Sequence, residues 1–411
     1  MSNVLARTYT NVNPSNYPSS SVISYKNGSP LIQFIIGARA SKIRPGSLRL
    51  NGRLTCKLSD GSVITNTDAV GFDSSTGVHG LIDSITVSNS ENRTYETIKS
   101  YNRMMASYIK QSTSNDDTNT RENLSGLQSG NVFSSSDVGT TGTKNDFSIP
   151  LYTGLLIDSY ILDSSKMNGL NLTIMLSPDA NFFFDTGVHT NASDAFYELS
   201  DVHLTFEEEV LTDLDMKMNA VEFTTINTFY GVSSNNFTTI NFNLGLGNVL
   251  SWWLNVLPQT DVNNSTKNSM ATESFVDNGD EVDDVVKVEY LVGGQKYPIR
   301  FNLEGTPDEN QYTTDIYRNF YDAFNPFMGY HANQRNPVNT PVDTALSDVQ
   351  GQNIVDCGPS WGLGCALDNV SYSGFTGYDR NQWGIIIETK SSDPKPTSIY
   401  VFIRNKQVIN F

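Results

Sequence analysis

Leu81-Ile82-Asp83-Ser84-Ile85-Thr86-Val87, followed by Ser88-Asn89-Ser90-Glu91-Asn92, is the stretch from which the fold is read. The first part is β-branched and alternates in polarity, which predicts a strand. The second part is a polar turn. Beyond it Tyr95, Ile98, Tyr101, Met105, Tyr108 and Ile109 recur mostly at steps of three and four, the period of a helix with one buried face. Thr94 stands where an N-cap would, and Lys110 at the C-terminal end, where a cation suits the helix dipole.

The same order returns further on. Val286, Val288, Tyr290 and Val292 alternate, Gly293-Gly294 turns the chain, and Tyr297, Ile299, Phe301 and Leu303 alternate again. Thr306-Pro307-Asp308-Glu309 then opens a second predicted helix, with Ile316, Phe320 and Phe324 every four residues and Pro326 ending it. A block of strand, turn, single helix and long polar connection thus occurs twice in a β-rich chain. The expectation is two similar β domains, each with one helix inserted at the same place.

Composition supports that class. The chain has 411 residues, of which 38% are hydrophobic, 11% aromatic and only 17% charged. Low charge with many Ser, Thr, Asn, Val, Phe and Tyr is a β-protein composition, and the length accommodates two or three domains. A net charge of -17 argues against a surface that coats nucleic acid, because phosphate contacts need Lys and Arg. Three cysteines, Cys56, Cys357 and Cys365, allow at most one disulfide within the chain, and free thiols are expected. Residues 1–8 lack the apolar core of a signal peptide, and no run approaches the ~20 apolar residues that cross a bilayer. Synthesis in the cytosol is the expectation.

In chain order, residues 1–28 are polar and read as an extended arm. Strands are expected at Leu31-Ile32-Gln33-Phe34-Ile35-Ile36, over 47–54, at Phe147-Ser148-Ile149-Pro150-Leu151, over 160–162 and 170–176, and within 197–210. The segment 111–145 reads as a solvent-exposed loop. The domain junction is placed at 211–218, giving an arm over 1–28 and domains over 29–212 and 213–411. The second half shows strands over 222–227, 237–244 and 251–257, then the duplicated block, a long irregular segment over 325–374, and closing strands over 383–389 and 398–403. Short strands between Gly/Asn/Asp turns indicate sandwiches with Greek-key connections.

Four places carry a resemblance to a known family. They are Gly28-Ser29-Pro30-Leu31-Ile32-Gln33-Phe34 leading to Pro45-Gly46-Ser47-Leu48-Arg49-Leu50-Asn51-Gly52; Gly80-Leu81-Ile82-Asp83-Ser84-Ile85-Thr86-Val87 with its turn and Tyr-rich helix; Phe147-Ser148-Ile149-Pro150-Leu151-Tyr152-Thr153-Gly154-Leu155-Leu156 followed by Gly169-Leu170-Asn171-Leu172-Thr173-Ile174; and Ser398-Ile399-Tyr400-Val401-Phe402-Ile403-Arg404-Asn405-Lys406-Gln407. In these the chain resembles the double jelly-roll major capsid proteins of the adenovirus and tectivirus lineage, and among them the hexon-like proteins of virophages and Polinton-like viruses. The resemblance implies an all-β fold of two tandem eight-stranded jelly rolls. It implies a non-enzymatic structural protein of a DNA-virus virion, whose homotrimers form pseudo-hexagonal capsomers in an icosahedral capsid. It further implies neighbouring capsomers, penton and minor capsid proteins and an internal membrane as partners, with synthesis in the host cytoplasm and the arm inside the shell.

No catalytic, cofactor-binding or metal-binding residue is expected. Of the four histidines, His79, His189, His203 and His331, two have a carboxylate at i+4 (Asp83 and Glu207), but neither pair lies on a predicted helix and no second His stands at i+3 or i+4. The repeated Thr76-Gly77-Val78-His79 and Thr186-Gly187-Val188-His189 reads as coincidence. Glu207-Glu208-Glu209 is one acidic cluster and Asp277, Asp280, Glu281, Asp283 and Asp284 the other; Asp277-Asn278-Gly279-Asp280 lacks the stepped ligands and closing Glu of a calcium loop and reads as a solvated acidic loop, with weak divalent-ion binding as the alternative. Gly245-Leu246-Gly247 is followed by neither Gly nor Lys-Ser/Thr, so no phosphate loop is formed. Trp252-Trp253 point to opposite faces of a strand, one into the core and one to an interface. The rival functions are a receptor- or glycan-binding β-sandwich such as a fibre or adhesin and, behind it, a jelly-roll glycosidase. The duplicated block favours the capsid reading, since neither rival has a reason to repeat it.

Overall fold

The structure is a computed structural model that describes residues 7–28, 30–62, 64, 70–73, 76–112, 132–133, 144–157, 162–185, 191–211, 219–233, 237–242, 249–266, 270, 285–292, 295–296, 301–302, 363–366, 383–389 and 396–410. The first half contributes β1 (Arg7–Val12), β2 (Leu31–Ile36), β3 (Ser41–Ile43), β4 (Arg49–Leu58), β5 (Val70–Phe72), β6 (Ile82–Ser88), β7 (Thr94–Lys99), β8 (Val132–Phe133), β9 (Lys144–Pro150), β10 (Leu162–Asp163), β11 (Leu170–Leu176), β12 (Phe183–Phe184) and β13 (Ala195–Val210). The second contributes β14 (Ala220–Ser233), β15 (Phe237–Phe242), β16 (Val249–Pro258), β17 (Val285–Val292), β18 (Gln295–Lys296), β19 (Phe301–Asn302), β20 (Leu363–Ala366), β21 (Trp383–Thr389) and β22 (Thr397–Asn410). Helix α1 spans Tyr101–Ser112, and two single turns, α2 (Gly154–Ile157) and α3 (Asp179–Phe182), follow it.

No described sheet mixes strands from the two halves. The first half forms β10-β3-β13-β4-β9, with β1 on the other edge of β13, and β2-β11-β6-β7. The second forms β14-β22-β16-β20 and β15-β21-β17-β18, with β19 also paired to β17. Take β1, β2, β4, β6, β7, β9, β11 and β13 as the principal strands of the first half. Their spatial order matches that of β14, β15, β16, β17, β18, β20, β21 and β22: first, last, third and sixth in one sheet, second, seventh, fourth and fifth in the other. That is the double Greek-key order of a jelly roll. The fold is two tandem jelly rolls.

The alternation read from the sequence places most strands. Leu31–Ile36, Leu170–Leu176 and Trp383–Thr389 form where expected. In β11 the burial alternates strictly, with Leu170, Leu172, Ile174 and Leu176 inward.

Two expectations are corrected. The helix expected from Thr94 begins only at Tyr101; 94–99 is instead a strand, antiparallel to β6, with Thr97 opposite Thr86 and Ile98 opposite Ile85. Asn89 makes the turn: its side-chain oxygen accepts from the backbone N–H groups of Glu91 and Arg93 at 3.0 and 2.8 Å. Ser100, at φ 51°, separates strand from helix. The first block is therefore strand, turn, strand, helix, the order read at residues 285–326. The helix expected there, the acidic loop near Asp277, His189, His331 and Cys357 lie outside the described residues.

The second correction concerns the arm. Residues 7–12 are β1, the opening strand of the first barrel, paired with β13 from Arg7 opposite Glu209 to Val12 opposite Leu204. Past Pro14 the chain crosses to the other sheet. Asn16 lies along the free edge of β2, its amide donating to the Leu31 carbonyl (2.7 Å) and accepting from the Gln33 N–H (3.0 Å). Ile23 then returns to bridge Leu199 of β13. A polar segment thus covers two sheet edges that would otherwise offer unpaired backbone to other chains.

The apolar core runs on from one barrel into the next. One buried cluster contains Phe34, Ile85, Tyr197 and Phe206 of the first barrel together with Phe223, Trp253, Leu257 and Phe402 of the second.

Candidate functional site

The seam between the barrels is where this chain concentrates its buried polar chemistry. One sheet of the second barrel presents the row Thr228, Phe402, Trp253 and the next row Tyr230, Tyr400, Asn255. Those side chains meet β7, α1 and α2 of the first barrel. Asn255 Nδ2 reaches the Arg103 carbonyl (3.5 Å) and Ser107 Oγ (3.4 Å). The Arg103 guanidinium lies 4.8 Å from the centroid of the Tyr400 ring, and the Thr228 hydroxyl donates to the Lys99 carbonyl at 2.7 Å. Trp253 and Phe402 stand 5.6 Å apart, ring to ring.

Glu96 is the centre of the seam. It is buried on β7, and its Oε1 accepts from the Gly154 N–H (3.0 Å) and from the Thr225 hydroxyl (2.5 Å), its Oε2 from the Leu155 N–H (2.9 Å). One carboxylate therefore ties the first barrel's hairpin, the opening turn of α2 and strand β14 of the second barrel together. Burial pushes its carboxyl up from the ordinary range, and the Thr225 hydroxyl and the two N–H groups pull the other way. Gly154 permits the approach: a Cβ there would lie 1.5 Å from the Thr224 carbonyl oxygen. Arg103, equally buried, has its guanidinium pKa lowered by burial.

The residues singled out in the sequence are placed as follows. His79 is buried, with Nδ1 3.2 Å from the Tyr101 hydroxyl, which in turn accepts from the Tyr152 N–H at 3.1 Å. Burial, with Arg49 adding to it, lowers its pKa from 6.5 to about 3, so it is a neutral core side chain. His203 Nδ1 lies 2.7 Å from the Asp201 carbonyl oxygen. Glu207, Glu208 and Glu209 are each paired: Glu207 with Arg44 (2.7 Å) and the Tyr9 hydroxyl (3.0 Å), Glu208 with Arg39 and Ser41 (3.0 Å each) and Thr10, Glu209 with Arg7 (3.0 Å). The triplet fastens β1 and the segment 39–44, which contains β3, to β13. Among the described residues no group of three or more His, Cys, Asp or Glu could hold a metal ion. Trp252 and Trp253 are both buried, and Trp253 is the one that joins the core shared by the barrels. Cys56 is buried, which makes its thiol harder to ionise. No helix among the described residues is long and apolar enough to cross a membrane.

Glu96, Gly154, Thr225 and Arg103 were not singled out in the sequence for these roles. The sole trace is Tyr152-Thr153-Gly154-Leu155-Leu156, which carries part of the family resemblance and contains both N–H donors to Glu96.

With this architecture in view, the class is that of the double jelly-roll capsid folds. The Faustovirus major capsid protein matches with a TM-score of 0.59 at 9% identity, covering 99% of this chain and 91% of that one. The PBCV-1 VP54 structure fitted into a reconstruction of the virophage Sputnik matches with 0.59 at 9% identity, over 98% and 94% of the two chains. A chain of the Sputnik virophage cryo-EM structure matches with 0.57 at 10% identity, over 98% and 87%. No sequence-family model matches the chain, and no curated protein matches it by sequence. The likeness is one of fold, end to end.

Proposed function

We propose that this chain is a major capsid protein: a non-enzymatic building block that closes into pseudo-hexagonal homotrimers and tiles an icosahedral virus shell. The observation that carries the reading is the likeness of both jelly rolls, in tandem and in the same strand order, to the Faustovirus capsid protein over nearly the whole length of each chain. A seam with a continuous core supports it, because a rigid two-barrel brick can meet its neighbours in a fixed geometry. We read the first domain as beginning with β1 and ending near Val210, and the second as beginning near Ala220. Neighbouring capsomers, penton and minor capsid proteins and an internal membrane are the partners this reading implies, and the virion, after synthesis in the host cytoplasm, is its place. The net charge of -17 fits a shell protein that does not contact the genome through its general surface.

Light scattering of the purified chain, followed by electron microscopy, tests it. Trimers that pack into hexagonal arrays or closed particles are expected. A chain that stays monomeric at every concentration and binds or cleaves a glycan overturns the reading.

A further inference from the structure

The dipeptide Asn-Gly stands at Asn27-Gly28, Asn51-Gly52, Asn168-Gly169 and Asn278-Gly279, the last outside the described residues. Asn is a thermolabile side chain, and a following Gly has no Cβ to shield its own nitrogen from the amide carbon. Ring closure between the two needs an amide free to turn, a Gly N–H able to leave its hydrogen bond, and a main chain able to bend. The fold treats the three described pairs differently.

Asn51 lies within β4, between β13 and β9. Its Nδ2 donates to Thr205 Oγ1 at 2.9 Å and to the carbonyls of Arg49 (3.2 Å) and His203 (3.4 Å). Gly52 beside it is in register with Phe147, and a Cβ there would lie 2.9 Å from the Phe147 ring. The Asn168 amide donates to Glu91 Oε1 at 3.0 Å, and the Gly169 N–H to the Ser164 carbonyl at 2.7 Å. A Cβ on Gly169 would meet Ser90 Oγ at 2.7 Å and the Ile36 carbonyl oxygen at 3.0 Å. At both places the chain must open before it can react. Asn27 is exposed, in a turn over 25–28, and among the described residues nothing holds its side-chain amide. Its own N–H donates to Ser24 Oγ at 3.0 Å, and the Gly28 N–H makes a single turn bond to the Tyr25 carbonyl, also at 3.0 Å. The position of a Cβ on Gly28 has no atom within 4 Å.

We propose that Asn27-Gly28 is a site of spontaneous covalent modification, at which the folded chain slowly loses its amide to water while Asn51 and Asn168 stay intact. The Gly28 nitrogen attacks Asn27 Cγ. A C–N bond closes a five-membered succinimide, and the side-chain nitrogen leaves as ammonia, taking the Gly28 proton with it. Water then adds at one of the two ring carbonyls and breaks its bond to the ring nitrogen. The product is an aspartate or a β-linked isoaspartate, and nothing is oxidised or reduced. The place gives the change a consequence. Ile23 exchanges both backbone hydrogen bonds with Leu199 at 2.8 Å, and Lys26 Nζ lies 4.2 Å from the centroid of the Phe196 ring. The new carboxylate stands next to Lys26, and the β-linkage lengthens the main chain between the Ile23 bridge and β2. The segment that covers the edges of β2 and β13 thus loosens with age.

The test is peptide mapping by mass spectrometry of the full chain, stored folded in mildly alkaline buffer at body temperature and, in parallel, in denaturant. In the folded sample the mass gain that turns an amide into an acid is expected at Asn27 roughly tenfold or more faster than at Asn51 or Asn168. In denaturant the three sites are expected to convert at similar rates. Asn27→Gln, which cannot close the five-membered ring so readily, removes the signal from its peptide. Hydrogen exchange at the Ile23 N–H is expected to be faster in the converted fraction. An intact Asn27 in the aged folded chain, equal rates at the three sites, or the same order of rates in denaturant overturns the proposal. Unchanged exchange at Ile23 overturns its consequence for the edges. None of these outcomes bears on the capsid reading.

Discussion

Glu96 shows how much a single buried group decides in this protein. Its carboxylate collects two backbone N–H groups and one hydroxyl from segments 58 and 129 residues away in the chain. A Gln at the same place has one acceptor oxygen and brings two donors into a site built of donors, so Glu96→Gln is expected to cost about 2 kcal/mol in denaturant unfolding. Gly154→Ala is expected to cost more, about 3 kcal/mol, because the added methyl meets backbone and not a side chain that can turn away. His79 governs a different variable. Its pKa is depressed by burial to about 3, so between pH 6.5 and about 3 the unfolded chain takes up a proton that the folded chain refuses. Its contribution to stability is therefore present above pH 6.5 and lost as pH falls through that window, on the order of 5 kcal/mol in all. Asp179 acts in the opposite sense: burial raises its pKa to about 6, so its ionisation weakens the fold as pH rises from about 4 past 6. The comparison that isolates His79 is the melting temperature of His79→Gln against wild type from pH 7 to pH 4. The variant's curve is expected to be the flatter of the two on the acid side.

Among the elements, the first hairpin explains which parts of the fold were legible in the sequence. β2 and β11 could be read because each buries every second side chain, and period two in the sequence is period two in space. β7 could not. A register shift between Val87 and Ser88 places Tyr95 and Glu96 both in the interior, breaking the alternation. Tyr95 and Ile98 then fall in step with Tyr101 and Met105, which belong to the real helix, and the two elements read as one. The buried charge of Glu96 is inexplicable until Gly154 and Thr225 arrive from elsewhere in the chain, and so the seam left no local pattern. β1 was missed because its apolar content is slight; β13's carboxylates and backbone edge hold it. Asn16→Ala removes both side-chain hydrogen bonds from the edge of β2 and is expected to cost about 1–2 kcal/mol and to raise aggregation on storage, measured by turbidity. Ser100→Gly runs the other way. The residue between β7 and α1 sits at φ 51°, where only Gly avoids the Cβ penalty, so the substitution is expected to raise stability by about 0.5–1 kcal/mol.

At the scale of the whole molecule, two barrels that each have a complete strand set could be independent domains on a tether, and a shell could be tiled by either arrangement. The core decides between these. Trp253, Leu257 and Phe402 belong to the same buried cluster as Phe34 and Phe206, so separating the barrels would expose a large aromatic face to water. At ~25 cal/mol per Å² of apolar surface, that exposure works against either barrel standing alone. The second barrel is therefore expected not to persist folded once the first has melted, and calorimetry of the intact chain should show one transition with matching calorimetric and van't Hoff enthalpies. Trp253→Ala attacks that coupling directly, because it hollows the seam and leaves Glu96 and its donors in place. It is expected to cost about 3–5 kcal/mol and to split the transition in two as each barrel begins to melt on its own. Two resolved transitions in the wild type would mean that the seam is a loose contact, and a trimer built on it would then have to take its rigidity from contacts between chains.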